Sequence, residues 1–232
     1  MQSFSTTLFA DADAEYGSAD YVLFGVPFDG TTSFKAGCRD APLAIRQVSY
    51  NIETYLPYYD LEMTDVSVHD MGDMYVECLP DLMVEQVADA VCDLIKDEKI
   101  PIMMGGEHSV TVGAVQALQP KWYVVCDAHL DMQDEYRGSP FNHDCVTARV
   151  SETVENIVII GARSGCQEEF AYAREHYHLY TADEVEERGI RDVLDEVSGL
   201  IGDDSLYLSI DADAIDCCLT PGLGTPEPFG LT

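Results

Sequence analysis

The segment WYVVCDAHLD, residues 122–131, joins an apolar run to a cluster of side chains that can bind metal. The run Trp122–Cys126 is almost continuously apolar, which is typical of a strand buried in a parallel sheet. Alternate side chains of extended backbone point to one side, so Asp127, His129 and Asp131 can converge after the strand. Ligands of open α/β sheets bind at this carboxyl end. The segment therefore predicts the fold class and the position of the chemistry.

The rest of the chain repeats the alternation of short apolar runs and helical patterns. We predict helices after Pro42, from Pro80 and over Val110–Leu118, and exposed acidic helical segments over 167–175 and 182–196. Because strands alternate with helices and no linker is visible, we predict one α/β domain over residues 1–232 with a parallel sheet covered on both faces. The further buried strands are predicted at 21–26, 100–104, 157–160 and 206–210.

The composition is strongly acidic, with 43 Asp and Glu against 12 Lys and Arg and a formal net charge of −31 over 232 residues. Such a surface repels nucleic acid and anionic membranes and attracts metal ions and small cations, so we expect neither nucleic acid nor membrane as a partner. We expect adaptation to a saline cytosol, where salt screens the repulsion, with an acidic protein of ordinary cytosol as the alternative. The polar segment 1–9 predicts no leader, and the eight scattered cysteines predict reduced, buried thiols in a cytoplasmic protein.

Two more predicted strand ends carry side chains that bind metal. Asp211 and Asp213 follow the run at 206–210, and the segment GGEHS at 105–109 supplies His108. With the first segment they make four carboxylates and two imidazoles, a set that suits a divalent ion such as Mn²⁺ and can bridge two ions. Each motif alone also fits a polar turn or a helix cap. Because so many like charges at one sheet edge require a cation, we predict a metal centre there.

These motifs, in this order, resemble those of the ureohydrolases, the family of arginase and agmatinase. The resemblance extends from about Tyr21 to Thr232 and implies an arginase-like α/β/α fold with a binuclear manganese centre. It also implies that the C-terminal part of the family pattern, including a glutamate that pairs with the substrate guanidinium, has no counterpart in this chain. The matching segments are 24–32, 70–73, 105–109, 127–131, 209–216 and 221–232.

The resemblance further implies a role for each site residue. Hydroxide held between two ions would attack the guanidinium carbon, and the tetrahedral intermediate would collapse to urea and an amine. Asp131 would pass a proton to the leaving nitrogen, and His143 would shuttle protons or contact the substrate, with a solvent-exposed loop histidine as the alternative. The six implied metal ligands are His108 and Asp131 for one ion, His129 and Asp213 for the other, and Asp127 and Asp211 as bridges.

The substrate implied by the resemblance is a small cationic guanidinium compound. Arginase-like members have an acidic residue for the α-amino group soon after the turn at 161–165, whereas this chain has none before Glu168. We therefore predict conversion of agmatine to putrescine, by a homo-oligomer. The alternatives are an arginase, a guanidinobutyrase, a formiminoglutamase-type relative or a non-catalytic metal-binding homologue. Cys217 and Phe229 depart from the family pattern in a loop that helps to close the site. Structural or surface roles are expected for His69, His176 and His178. Glu227, in the turn at 224–228, is expected either to face the site or to stabilise the turn.

Overall fold

The computed structural model describes residues 7–232, so most of the segment on which we predict no leader lies outside the described residues. The chain forms two compact units. The first contains the chain up to Gly30 and residues 36–118, and the second contains residues 31–35 and 119–232. This division does not test whether the units fold independently, so the single domain over 1–232 stays a prediction. Within the described residues, every helix is too short or too polar to cross a membrane.

The first unit contains a parallel sheet of three strands, β1 (Tyr21–Val26), β4 (Val68–Asp73) and β5 (Ile100–Gly105), with β1 in the middle. An antiparallel pair, β2 (Tyr55–Leu56) and β3 (Leu61–Glu62), precedes β4. Five of the six residues of β1 are buried, as its continuous apolar sequence predicts. The strand β4 was not predicted, because three of the six residues in its sequence VHDMGD have ionisable side chains.

Three helices flank this sheet: α1 (Ala41–Ser49), α2 (Pro80–Lys96) and α3 (Val110–Leu118). Pro80 is the first residue of α2, where its missing N–H costs no hydrogen bond. The apolar stripe of α2 is buried, as its helical spacing predicts. Gly113 lets α3 lie close to α2, since a Cβ there would be 2.4 Å from the carbonyl oxygen of Val84. All three predicted helices are confirmed.

The second unit contains a parallel sheet of four strands in the order β8-β7-β6-β9. These strands are β6 (Trp122–Cys126), β7 (Asn156–Ala162), β8 (His178–Thr181) and β9 (Leu206–Ile210). The helices of this unit are α4 (Val146–Val150), α5 (Gln167–His176), α6 (Ala182–Arg188) and α7 (Ile190–Ile201). The two acidic segments are helical as predicted, and Gly189, with φ of +87°, separates α6 from α7. In both units, parallel strands are flanked by helices, which confirms the predicted α/β class.

The predictions that β5 and β9 are buried strands are wrong. In β5, Ile100 and Ile102 are 53% and 39% exposed. Leu206, Leu208 and Ile210 are 45%, 55% and 68% exposed. Within the described residues β9 pairs only with β6, so its other edge and much of its side-chain surface remain accessible. An apolar sequence identifies a strand but does not state how many neighbours cover it. The strand β8 was missed because it is short and begins with a histidine, His178, that is exposed as expected.

No disulfide joins the eight cysteines, all of which lie within the described residues, and the reduced state of their thiols stays a prediction. The expectation that they are buried is wrong for Cys78, Cys166 and Cys218, which are exposed. Cys78 and Cys218 lie in connecting segments, and Cys166 immediately precedes α5. Cys145 is buried, and the other four cysteines, Cys38, Cys92, Cys126 and Cys217, are half-buried.

Candidate metal centre

Asp127 and Asp211 are brought side by side by strand register. Each is the residue that follows a parallel strand, β6 or β9, and these two strands are neighbours in which Cys126 is paired with Ile210. The backbone N–H of Asp211 donates to the carbonyl of Cys126 over 2.8 Å. Because neighbouring strands are separated by about 4.8 Å, the two residues start from adjacent positions at the same edge of the sheet. This is the location that the sequence predicted. Among the described residues, the compact groups of possible ligands that contain Asp127 do not include Asp211.

The same local turn follows both strands. The carboxylate of Asp127 accepts from the backbone N–H of His129 over 2.7 Å, and that of Asp211 accepts from the N–H of Asp213 over 2.9 Å. An Asp that bonds to the backbone two residues later is a common way to end a strand in a tight turn. In the first motif the turn also brings the His129 side chain back toward Asp127. The spacing of two in both motifs therefore serves the backbone as well as the site.

Asp127, His129 and Asp213 form a compact group of possible ligands, each offering an atom within 4.8 Å of the others. The Nδ1 atom of His129 is 3.1 Å from Oδ2 of Asp213 and 3.5 Å from Oδ1 of Asp127. Oδ1 of Asp213 also accepts from the N–H of Ala128 over 3.1 Å. Both carboxylates are buried. Two buried carboxylates and an imidazole nitrogen directed at one point fit a divalent cation, since buried like charges need a positive partner.

The negative charge of this group changes the pKa of His129. Burial lowers the pKa of its imidazole, but the hydrogen bonds to Asp127 and Asp213 outweigh burial and raise the pKa to about 11. The carboxylates thus create a strongly negative local potential that favours positive charge. A metal ion is the other way in which the same potential can be balanced.

Asp131 contributes a further buried carboxylate to the same edge. One of its oxygens lies within 4.8 Å of a carboxylate oxygen of Asp127. Its φ is +51°, and its carbonyl accepts from the N–H of Ala148 at the start of α4 over 3.2 Å. The chain after β6 is therefore not a continuous strand through position 131. The turn brings Asp131 back toward Asp127, whereas among the described residues Asp131 shares no compact group with His129.

His108 lies in the first unit, in the segment between β5 and α3, and is half-buried. The neighbouring Gly106 packs closely on the backbone, since a Cβ there would be 1.9 Å from the carbonyl oxygen of Phe28. The N–H of Glu107 donates to that oxygen over 2.8 Å, and the Ser109 hydroxyl donates to the buried Glu107 carboxylate over 2.6 Å. These contacts define the backbone on both sides of His108. They explain why the segment begins with two glycines.

His143 is half-buried rather than a solvent-exposed loop residue. Its Nδ1 is 3.2 Å from the Thr31 hydroxyl and its Nε2 is 3.1 Å from the Ser33 hydroxyl. The Thr31 hydroxyl also accepts from the N–H of His143 over 3.0 Å, and the ring of Tyr136 meets the imidazole edge-on at 6.5 Å. Hydroxyls can donate or accept, so this arrangement is compatible with either tautomer of the imidazole. The contacts of Thr31 and Ser33 with His143 were not predicted, because a loop threonine or serine is not by itself a sign of a functional site.

Glu227 lies beside His129, which is one of the two positions that were expected for it. Its Oε1 is 3.5 Å from Nε2 of His129, on the ring edge opposite Asp127 and Asp213, and it accepts from the Ser164 hydroxyl over 3.2 Å. From the same loop, the hydroxyl of Thr225 donates to Oδ2 of Asp213 over 3.3 Å. The sequence left both roles open for Glu227, and the contact with His129 distinguishes between them.

Asp216 and Arg163 hold this loop, residues 217–229, at its base. Asp216 accepts from the backbone N–H of Cys218 over 2.8 Å and from that of Gly230 over 3.0 Å, and these bonds lower its pKa to about 2. The guanidinium of Arg163 donates to five carbonyl oxygens, which belong to Gly161, Asp213, Ala214, Glu227 and Pro228. Arg163 therefore links the end of β7, residues 213–214 and the loop.

The remaining histidines have structural or surface positions, as expected. Nδ1 of His69 is 2.7 Å from the carbonyl oxygen of Ala14, and its ring packs edge-on against Tyr16. His176 and His178 are exposed at the end of α5 and the start of β8.

This chain is similar in sequence to proteins of known name over most of its length. It matches the Arginase family over residues 19–232. It is 41% identical to the agmatinase of Pyrococcus horikoshii over 225 residues, which are 92% of this chain and 75% of that protein. It is 43% identical to the N(1)-aminopropylagmatine ureohydrolase of Thermococcus kodakarensis over 222 residues, which are 92% of this chain and 74% of that protein.

Solved structures show the same fold. The crystal structure of the agmatine ureohydrolase of Thermoplasma volcanium is similar with a TM-score of 0.90 and 39% identity, over 99% of this chain and 79% of that one. The formimidoylglutamase of Bacillus subtilis is similar with a TM-score of 0.84 at 22% identity, over 99% of this chain and 78% of that one, a likeness that shows the fold alone. The predicted arginase-like fold is confirmed. This chain belongs to the arginase family and is a hydrolase that acts on carbon–nitrogen bonds of linear amidines.

Proposed function

We propose that this chain hydrolyses agmatine to putrescine and urea at a centre of two Mn²⁺ ions. The observation that carries the proposal is the compact group of Asp127, His129 and Asp213 in a chain of the arginase family. Relatives named agmatinase and agmatine ureohydrolase, 41% and 39% identical, support agmatine as the substrate. A guanidinium substrate also suits the net charge of −31, since an acidic surface attracts cations.

The ligand set that we propose is the one that the family resemblance implies. The carboxylate-rich donor set supports a hard divalent ion, for which Mn²⁺ is our assignment. When bound, two ions lower the pKa of a shared water, so that hydroxide is available near neutral pH. His108 is assigned through the resemblance of its GGEHS segment to the family. The six proposed ligands are His108, Asp127, His129, Asp131, Asp211 and Asp213.

Asp131 and His143 are the residues that we propose to move protons. The Asp131 carboxylate is buried beside Asp127, where it can carry a proton toward the leaving nitrogen. His143 is held at both ring nitrogens by the hydroxyls of Thr31 and Ser33, and imidazole titrates in the range needed for exchange with a departing amine. Both are proposed to work near neutral pH.

The choice of agmatine over arginine rests on a missing acidic group. The turn at 161–165 uses Arg163 to hold the 217–229 loop, and the next acidic residue in the sequence is Glu168, which is exposed. An α-amino group would therefore have no carboxylate supplied by this turn. Guanidinobutyrate and arginine are expected to be poorer substrates, because each carries a carboxylate into an acidic protein.

N(1)-aminopropylagmatine is the second candidate substrate. The observation in its favour is the 43% identity to the ureohydrolase of Thermococcus kodakarensis that carries this name. This compound has the same guanidinium group and one more cationic amine than agmatine, which also suits an acidic surface. Values of kcat/KM for the two compounds, measured with one preparation, decide between them.

The test is urea release from agmatine by the purified chain, incubated with Mn²⁺ at high salt. We expect release that disappears in Asp127→Asn, which removes a bridging charge at nearly constant volume. Asp192→Asn, on the first turn of α7, is the matched control and should keep full activity. Metal content and far-ultraviolet circular dichroism are measured on all three proteins, so that loss of the centre is separated from loss of folding.

A folded protein that binds manganese but releases no urea from agmatine, aminopropylagmatine, arginine or guanidinobutyrate would contradict the proposed activity. It would then be a metal-binding homologue without catalysis. Formation of a homo-oligomer in the cytoplasm belongs to the same proposal, and light scattering of the purified protein tests the oligomer.

A further inference from the structure

We infer that Glu227 positions His129 as a metal ligand by accepting a hydrogen bond from its Nε2 atom. The inference rests on the proposed metal centre and adds to it a residue that is not itself a ligand. In this arrangement the two ring nitrogens have different tasks. Nδ1 faces the ligand group, and Nε2 faces the loop.

The geometry around the imidazole separates its two edges. Nδ1 of His129 is 3.1 Å from Asp213 and 3.5 Å from Asp127, whereas Nε2 is 3.5 Å from Oε1 of Glu227. A neutral imidazole carries one N–H, and the nitrogen without the hydrogen is the one that can bind metal. When a metal ion takes the place of the hydrogen at Nδ1, an anionic acceptor beside Nε2 would keep the remaining hydrogen there and leave the Nδ1 lone pair for the ion. Carboxylates in this role are general partners of metal-bound histidines.

Glu227 is held in place by contacts that do not involve His129. The Ser164 hydroxyl donates to its Oε1 over 3.2 Å, and Arg163 donates to its carbonyl oxygen over 2.9 Å. Arg163 also donates to the carbonyl oxygen of Asp213 over 2.7 Å. The guanidinium that fixes the Glu227 backbone therefore also fixes the backbone of a ligand. One side chain thus holds the backbone of Glu227 and that of Asp213 at a fixed separation.

A purely structural role for Glu227 would be a turn contact within the loop. The carbonyl oxygen of Glu227 already makes that contact, through Arg163 and through the N–H of Cys217 at 3.4 Å. The side chain is not needed for it and instead points at the imidazole. Its removal should therefore change the binding of metal more than the stability of the metal-free chain.

The experiment is a manganese titration of the purified protein by equilibrium dialysis, with wild type, Glu227→Gln and Glu227→Ala. We expect about 10–100-fold weaker binding for Glu227→Ala, the range found when such partners of metal-bound histidines are removed. Glu227→Gln should fall between the two, because the amide oxygen still accepts from Nε2 but carries no charge. Glu186→Gln, an exposed carboxylate on α6, is the control for the lost charge and should bind like wild type.

Thermal unfolding in the presence of chelator is the second measurement, and all four proteins should unfold at the same temperature. Wild-type affinity in both Glu227 variants would overturn the inference, and a raised KM for agmatine in them would make Glu227 a substrate contact instead. Wild-type protein that binds manganese but releases no urea would contradict the proposed function alone, provided that Glu227→Ala still weakens binding. Wild-type protein that binds no manganese would contradict both.

Discussion

The carboxylate of Asp70 binds the guanidinium of Arg46 through two hydrogen bonds, of 2.7 and 2.8 Å, inside the first unit. Neither side chain is exposed to solvent. Asp73 contacts the same guanidinium, and the Asp70 carboxylate also accepts from the N–H groups of Phe9 and Gly72. The pair thus joins α1 to β4 and to the N-terminal segment. A buried ion pair is tolerated when it is bidentate and when its remaining hydrogen-bond donors and acceptors also have partners.

Removing one charge of this pair should destabilise the protein strongly. Asp70→Asn leaves the buried guanidinium with one carboxylate fewer, and we expect a loss of about 3–5 kcal/mol in the free energy of unfolding. Denaturant unfolding measures it. Asp93→Asn breaks an exposed pair with Lys96 and should have little effect on stability, because solvent screens this pair. Equal effects of the two substitutions would contradict the interpretation.

Gly106→Ala should displace the segment that carries His108. The added Cβ would be 1.9 Å from the carbonyl oxygen of Phe28, and a backbone atom cannot yield as a flexible side chain does. We expect a loss of about 1–3 kcal/mol together with weaker manganese binding. Gly199→Ala, in α7 with open space around the site, should be neutral or stabilising by up to about 1 kcal/mol. Unchanged stability and metal binding in Gly106→Ala would contradict the prediction.

His143→Ala should lower kcat and alter its pH profile. General acid–base groups typically contribute about 10²–10⁴-fold to rate, and we expect an effect in this range. Thr31→Val removes the hydroxyl beside Nδ1 and should shift the pH profile, whereas Thr31→Ser keeps the hydroxyl and should restore it. An unchanged kcat and pH profile in His143→Ala would show that this histidine is structural.

Asp216 should make stability depend on acid pH. Its pKa falls from the usual 3.8 to about 2, because the N–H groups of Cys218 and Gly230 bind the charged form. A lowered pKa stabilises the folded protein fully above pH 3.8, and this stabilisation is lost as the pH falls toward 2. The difference in melting temperature between wild type and Asp216→Asn, measured from pH 6 to pH 2, should therefore shrink in that window. A constant difference would contradict the assignment.

Salt should stabilise the protein. With a net charge of −31, repulsion among carboxylates opposes the compact state, and salt shortens the distance over which they act. We expect the melting temperature to rise through a series of KCl concentrations, and not in a neutral osmolyte at equal osmolarity. Full stability at low salt would favour the alternative of an acidic protein from an ordinary cytosol.

Much of the fold and most of the ligand candidates could be predicted from the sequence. Continuous apolar runs identified β1, β6 and β7, because burial on both faces of a parallel strand leaves no room for polar alternation. The strands β4 and β8 were missed, since their polar residues are satisfied by tertiary partners such as Arg46 or exposed at an edge. The exposure of β9 could not be predicted either, because it depends on which strand pairs with which.

The sequence by itself determined which residue types stand at the strand ends and therefore the chemistry available to the protein. Spacing and residue type are local properties, so Asp127, His129 and Asp213 could be selected from the chain alone. Only the tertiary structure decided that Glu227 faces the second nitrogen of His129 and that Arg163 holds both in place. Contacts between segments distant in the sequence leave no periodic signal, because they arise from the register of parallel strands and the path of a loop.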